Sequence, residues 1–236
     1  MTLTQFNQLA SQRVRLPINV DGLFTFKICD LKPAFGEIFN VTERDLDFWG
    51  YCDLDIIFGD LQRFLNEDLL NRFDVISAAS RFVAGPFSIF RNTQPVTSLY
   101  RRSKNIEQVM TESKYFGFDE VGPHVTWERT GDFVIDRSKE FESFTDLVLA
   151  ADQNRELRAF FGLNYYNDPD ISSQSKGSVL WKDGKLNIQS TGEELLLYHF
   201  QFGKKLFTSW FFPNGDEWKS GFLIETNGFS HLTTVI

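Results

Sequence analysis

Two aspartates one residue apart, Asp53 and Asp55, are the side chains best suited by type and spacing to do chemistry. They follow the aromatic run Phe48-Trp49-Gly50-Tyr51-Cys52 and precede Ile56-Ile57-Phe58. On extended backbone, side chains two residues apart point the same way, so both carboxylates can meet one ligand. Paired carboxylates suit a hard divalent cation, and a bound cation can hold a diphosphate. The triplet alone is weak evidence, because Asp45/Asp47 and Asp168/Asp170 repeat it. The first repeat sits in a charged segment and the second flanks Pro169 in a polar loop, both settings for turns. Only Asp53/Asp55 has apolar runs on both sides. Its plain structural alternative is a polar strand end, with Asp60 capping the next helix.

The flanking elements must present this pair. Residues 48–52 read as a short buried strand ending at Asp53. In open α/β sheets, ligands collect at the carboxyl ends of strands. Asp60 to Phe73 predicts one amphipathic helix, with Leu61, Phe64, Leu65, Leu69 and Phe73 on a face. Upstream, residues 2–14 read as a helix stopped by Leu16-Pro17. In Lys27 to Gly36, Asp30 reads as an N-cap and Pro33 fits a first helical turn. Lys27, Asp30 and Lys32 then gather at a helix start, where anions are favoured; a capped helix with two surface lysines explains them equally well.

Downstream, residues 75–79 read as a strand, 85–92 as turn, strand and loop, and 94–110 as a helix. Asp119-Glu120 follows a glycine-and-aromatic loop and could supply a general base, or simply the acids of a helix N-terminus. Residues 145–161 read as helical and 165–177 as loop. Ser178 to Ile188 predicts a β-hairpin turning on Asp183-Gly184. Glu194 to Phe200 reads as an apolar strand carrying His199, and 213–236 as turn-rich with a short β tail. The pattern is α/β.

Composition sets limits. The 236 residues make one large domain or two small ones, and 42% hydrophobic residues, with 26 Phe, are core-forming material. A net charge of −8 argues against a nucleic-acid groove or an anionic membrane surface as partner. The Arg101-Arg102-Ser103-Lys104 cluster reads as a solvated helix face. Cys29 and Cys52 lie in predicted buried elements and read as reduced, packed thiols, with no disulfide framework or zinc site. No secretory signal is visible, and no run approaches the roughly 20 apolar residues of a membrane helix. The expected location is cytoplasmic, with the inner face of the membrane as a peripheral variant.

Lys27-x-Cys29-Asp30-x-Lys32-Pro33-x-x-Gly36, followed by Phe48-Trp49-Gly50-Tyr51-x-Asp53-x-Asp55-x-x-Phe58-Gly59-Asp60, resembles bacterial sugar-nucleotide glycosyltransferases of the GT-A type, of the kind found among capsule and surface-polysaccharide genes. It is similar, more distantly, to initiating mannosyltransferases and capsular transferases with a Tyr-x-Asp-x-Asp pattern. The resemblance covers about residues 20–125 and, more weakly, the 181–199 region. It implies a single GT-A-like (Rossmann-like) domain over 1–236: a mixed sheet flanked by helices, a DxD-containing core over 1–125, and an acceptor-side region over 126–236 with the hairpin at 178–188. It further implies that Asp53, Asp55 and a late histidine, His199, bind Mn2+ or Mg2+. Asp53 would also meet the donor. Lys27, Asp30, Lys32 and Lys204 or Lys205 would face the nucleotide or its diphosphate, and Gly85 to Asn92 would line the sugar and acceptor side. Asp119 or Glu120 would serve the acceptor hydroxyl.

The implied partners are a UDP- or GDP-sugar donor, a glycan acceptor and polysaccharide-assembly machinery. Members of this kind carry further residues ahead of the first helix, so the nucleotide-binding half is expected to be N-terminally incomplete here. A catalytically inactive or truncated GT-A remnant is therefore the alternative function. A different metal-dependent phosphotransferase or hydrolase ranks last, because no Gly-x-x-x-x-Gly-Lys loop is present.

Overall fold

The computed structural model describes residues 1–22, 25–127, 133–135, 140–167, 177–201, 204, 208 and 220–232. In chain order, the first helices and strands are α1 (Leu3–Val14), α2 (Phe35–Ile38), β1 (Phe48–Cys52), β2 (Ile56–Phe58), α3 (Leu61–Phe64) and α4 (Glu67–Arg72). Next come β3 (Val75–Ser77), β4 (Phe87–Arg91), α5 (Gln94–Thr97), α6 (Ile106–Thr111), β5 (Val125–Trp127), β6 (Phe133–Ile135), α7 (Phe144–Gln153) and β7 (Ala159–Phe161). The remaining strands are β8 (Tyr165–Asn167), β9 (Val179–Lys182), β10 (Lys185–Ile188), β11 (Glu194–Leu195), β12 (Leu197–His199), β13 (Phe222–Glu225) and β14 (Gly228–His231). The chain is mixed α/β. It forms two compact units, one of residues 1–52 and 71–161, the other of residues 53–70 and 162–236.

The first unit is built on a mixed sheet of order β1-β4-β3-β7. β4 runs antiparallel to β1 and β3, and β7 runs parallel to β3. Leu31, Ile38, Phe90, Tyr100, Met110 and Phe144 are among its buried side chains. α1 starts from a reciprocal Thr2–Gln5 capping box and buries Phe6, Ala10 and Val14.

Several elements depart from their sequence pattern. β1 is an edge strand with one buried face: Trp49 and Tyr51 are buried, whereas Gly50 and Cys52 are exposed. Cys52 is therefore an exposed thiol rather than a packed one, and Cys29 is half-buried; neither is in a disulfide with a described residue. Residues 25–34 form a 3-10 helix that leads into the single turn of α2. Asp30 does not cap it, because its carboxylate is taken by Lys27 and by the amides of Phe116 and Phe118. The expected 94–110 helix is three short pieces. Ser103 breaks it by donating to Glu142 O at 2.9 Å. The expected 145–161 helix stops at Gln153 and continues as β7. Arg155 turns the chain at φ 61°, and Asp152 accepts the Ala159 amide at 2.9 Å.

The second unit has a five-stranded antiparallel sheet, β11-β10-β9-β13-β14, and a three-stranded sheet, β2-β12-β8. The 178–188 hairpin forms as the sequence predicts, with positive φ at Asp183 (51°) and Gly184 (77°). Residues 61–72 form α3 and α4 instead of one helix. Asp60 caps α3 as expected, but the Asn66 side chain accepts the Leu69 amide at 3.0 Å and restarts the helix. β8 opens the stretch read as loop; Asp168 and Asp170 lie outside the described residues.

β2 is pinned on both sides. Trp181 Nε1 donates to Phe58 O at 3.0 Å, and Gly59 N donates to Leu196 O at 2.8 Å. A Cβ on Gly59 would lie 2.5 Å from Leu195 O, so only glycine admits this approach. Among the described residues, no helix is long and apolar enough to cross a membrane.

Candidate metal centre

Antiparallel pairing of β12 with β2 sets His199 opposite Ile56, next to Asp55 in the chain. Phe200 N donates to Asp55 O at 3.0 Å and extends the ladder past the strand ends. Backbone register thus delivers a histidine from residue 199 to the two aspartates, a placement no local pattern encodes.

The side chains meet closely. His199 Nε2 lies 3.3 Å from Asp55 Oδ1 and 3.8 Å from Asp53 Oδ2. One ligand atom from each of the three residues falls within 4.8 Å of the others. The His199 side chain is 4% exposed, against 18% for Asp55 and 28% for Asp53. The imidazole therefore forms the floor of the group, and the carboxylates form its open side.

Lys204 Nζ donates to Asp55 Oδ2 at 2.6 Å. Burial by itself raises the Asp55 pKa, but the Lys204 hydrogen bond, and after it the His199 charge, outweigh burial and hold the carboxyl below its ordinary range. Asp55 is thus kept anionic with a cation already beside it. Two carboxylate donors and one imidazole are a donor set that fits Mn2+ better than Mg2+, which prefers oxygen throughout. The plain structural alternative is a His–carboxylate network that ties two strand ends together.

The sequence-predicted residues divide between the units. Asp53, Asp55, His199 and Lys204 come together in the second unit; Lys205 lies outside the described residues. Lys27, Asp30, Lys32, Asp119 and Glu120 belong to the first unit. There Lys27 and Asp30 are buried and bonded to each other at 3.0 Å. Lys27 also donates to Val109 O and stands 5.0 Å from the Phe116 ring centroid. Asp30 accepts from Phe116 N and Phe118 N at 2.9 and 2.8 Å. Burial pulls the Lys27 pKa down and pushes the Asp30 pKa up, while the pair's mutual attraction opposes both shifts. These contacts make the pair a clamp between the 25–34 helix, α6 and the 115–118 loop.

Lys32 and the acidic dipeptide form a second cluster, around Gly85. Lys32 Nζ donates to Gly85 O at 2.8 Å and lies 3.9 Å from Asp119 Oδ2. Glu120 Oε1 accepts the Gly85 amide at 2.9 Å. Among the polar networks of this unit that sequence reading missed is one in which Glu37 accepts from both Tyr100 and Arg101. Its partners are more than 60 positions apart, so spacing carried no signal.

The fold and this group define a mixed α/β protein with a three-residue candidate cation site. The chain belongs to a family of unknown function (DUF6625), which matches residues 1–233. Neither a curated protein nor a solved structure matches the chain.

Proposed function

We propose that the protein is a metal-dependent glycosyltransferase of the GT-A type, which transfers a sugar from a nucleotide-sugar donor to a surface glycan. The single observation that carries this reading is the convergence of Asp53, Asp55 and His199, with Lys204 on Asp55. The three residues that the GT-A resemblance nominates as metal ligands, together with Lys204, come close from distant parts of the chain. A divalent cation held there would neutralise the diphosphate of the departing nucleotide. For that, the chain supplies two carboxylates, an imidazole that must present an unprotonated Nε2, and an ammonium able to face a phosphate. Lys27, Asp30, Lys32, Asp119 and Glu120 stand in the other unit, and the reading does not depend on them.

The test is calorimetry of Mn2+ with and without UDP or GDP on the full chain. The expected result is Mn2+ binding that strengthens with nucleoside diphosphate and is abolished by Asp53→Ala or Asp55→Ala. Absence of heat from every combination overturns the reading. Metal-independent stability with no nucleotide binding would instead identify a non-catalytic member of the fold.

A further inference from the structure

The first unit carries a polar recess that the proposed chemistry does not use. Two adjoining hollows, of about 530 and 420 Å3, share Glu37, Asn40 and Arg101 in their walls. One continues over the end of α1, with Arg13 and Arg15 in its wall. The other continues along the 94–102 segment, with Thr97 and Arg102. Each volume is in the range of small-molecule sites. Among the described residues, no apolar side chain lines either hollow.

The charge balance of the recess runs against the chain as a whole. Among the described residues, four arginines and one glutamate line it, on a protein of net charge −8. Two of those arginines are committed. Arg101 donates to both Glu37 carboxylate oxygens, at 2.8 and 2.5 Å, and to Val14 O at 2.9 Å. Arg102 is paired with Glu156. Arg13 and Arg15 form no salt bridge with a described residue. The negative end of α1 lies nearby, but a helix terminus carries only about half a unit of charge against these two full positive charges. The surplus is cationic.

Backbone cost points the same way. Arg15 ends α1 in the left-handed region, at φ 63°, the position glycine usually takes. A non-glycine residue there costs about 1 kcal/mol, and what the substitution adds is a guanidinium in this wall. Asn40 in the shared wall is also left-handed, at φ 54°. In the second hollow Thr97 is 4% exposed, and its Oγ1 has no hydrogen-bond partner among the described residues.

We propose that this recess binds a small, hydroxyl-rich oxyanion: a phosphate or carboxylate group held by Arg13 and Arg15, with its hydroxyls against the amide and hydroxyl side chains of the shared wall and second hollow. Guanidinium forks match both oxyanions with paired hydrogen bonds. The site lies wholly within the first unit and stands independently of the metal centre.

The test titrates the full chain, kept metal-free with chelator, with inorganic pyrophosphate, glucuronate and glucose, read by calorimetry. Binding of pyrophosphate or glucuronate, with none of glucose, is expected, and the two anions separate a phosphate from a carboxylate preference. Arg13→Ala/Arg15→Ala, both exposed and so compatible with folding, should lose at least about tenfold in affinity, since each charge-assisted bond contributes more than that factor requires. Arg13→Lys/Arg15→Lys should recover part of it. Equal binding by wild type and the double alanine variant, glucose binding as well as glucuronate, or no heat from either anion overturns the proposal.

Discussion

Lys204→Met isolates the contact that most affects cation binding at the candidate centre. The lysine ammonium is 2.6 Å from Asp55 Oδ2, so an arriving cation meets a carboxylate already partly neutralised and is repelled by the ammonium. The Lys204 side chain is 42% exposed and Asp55 is 18% exposed, so the pair is partly hydrated and far from the low-dielectric limit. Exposed ion pairs contribute about 0.2–1 kcal/mol, and hydrogen bonds to charged groups about 1.5–3 kcal/mol. This half-exposed contact belongs between them, at about 1.4 kcal/mol, which is about tenfold in a dissociation constant. Removing the ammonium should therefore tighten Mn2+ binding roughly tenfold, and the gain should shrink as added salt screens the pair. In the same variant, nucleoside diphosphate binding at saturating Mn2+ should weaken, because the anion loses a donor. Calorimetric titration of chelator-treated wild type and Lys204→Met gives both numbers. Unchanged or weaker Mn2+ binding by a folded Lys204→Met protein refutes this competition between ammonium and cation. Mn2+ binding that survives Asp55→Asn refutes the centre itself.

Other perturbations test the first unit. Lys27→Met strands the buried Asp30 carboxylate and should cost about 3–5 kcal/mol in chemical denaturation. Adding Asp30→Asn should recover part of that loss, whereas no recovery would mean that the two side chains act separately. Glu37 is raised by its burial, but hydrogen bonds from Arg101 and Tyr100 outweigh this and leave its pKa below the ordinary 4.5. A carboxyl lowered by folding stabilises fully above its unfolded value and loses that contribution as pH falls through 4.5 toward the folded value. Glu37→Gln should therefore lower stability near neutrality and flatten the fall in denaturation midpoint below about pH 5; an unchanged acid slope would count against it. Gly85→Ala would set a Cβ 2.8 Å from Asp119 Oδ2 and 2.9 Å from Glu120 Oε1, displacing both carboxylates. It should lower thermal stability by about 1–3 kcal/mol, and a neutral result would show that these side chains are free to move aside.

Local chemistry made several elements legible in the chain itself. Helix α1, the Asp183-Gly184 hairpin and the Asp60 cap follow from neighbouring residues, through apolar spacing, positive-φ turn residues and a short side chain that accepts an amide. Asp53 and Asp55 stood out because apolar runs flank them on both sides. Tertiary contacts overruled the local pattern where a side chain found a distant partner. Asp30 caps no helix because the Phe116 and Phe118 amides occupy it, and Ser103 breaks a helix to reach Glu142. A half-apolar strand such as β1 reads as buried until its edge position is known. Only strand register, with β12 laid antiparallel on β2, brings His199 to the aspartates across more than 140 positions, and side chains that far apart leave no periodic trace in a single sequence.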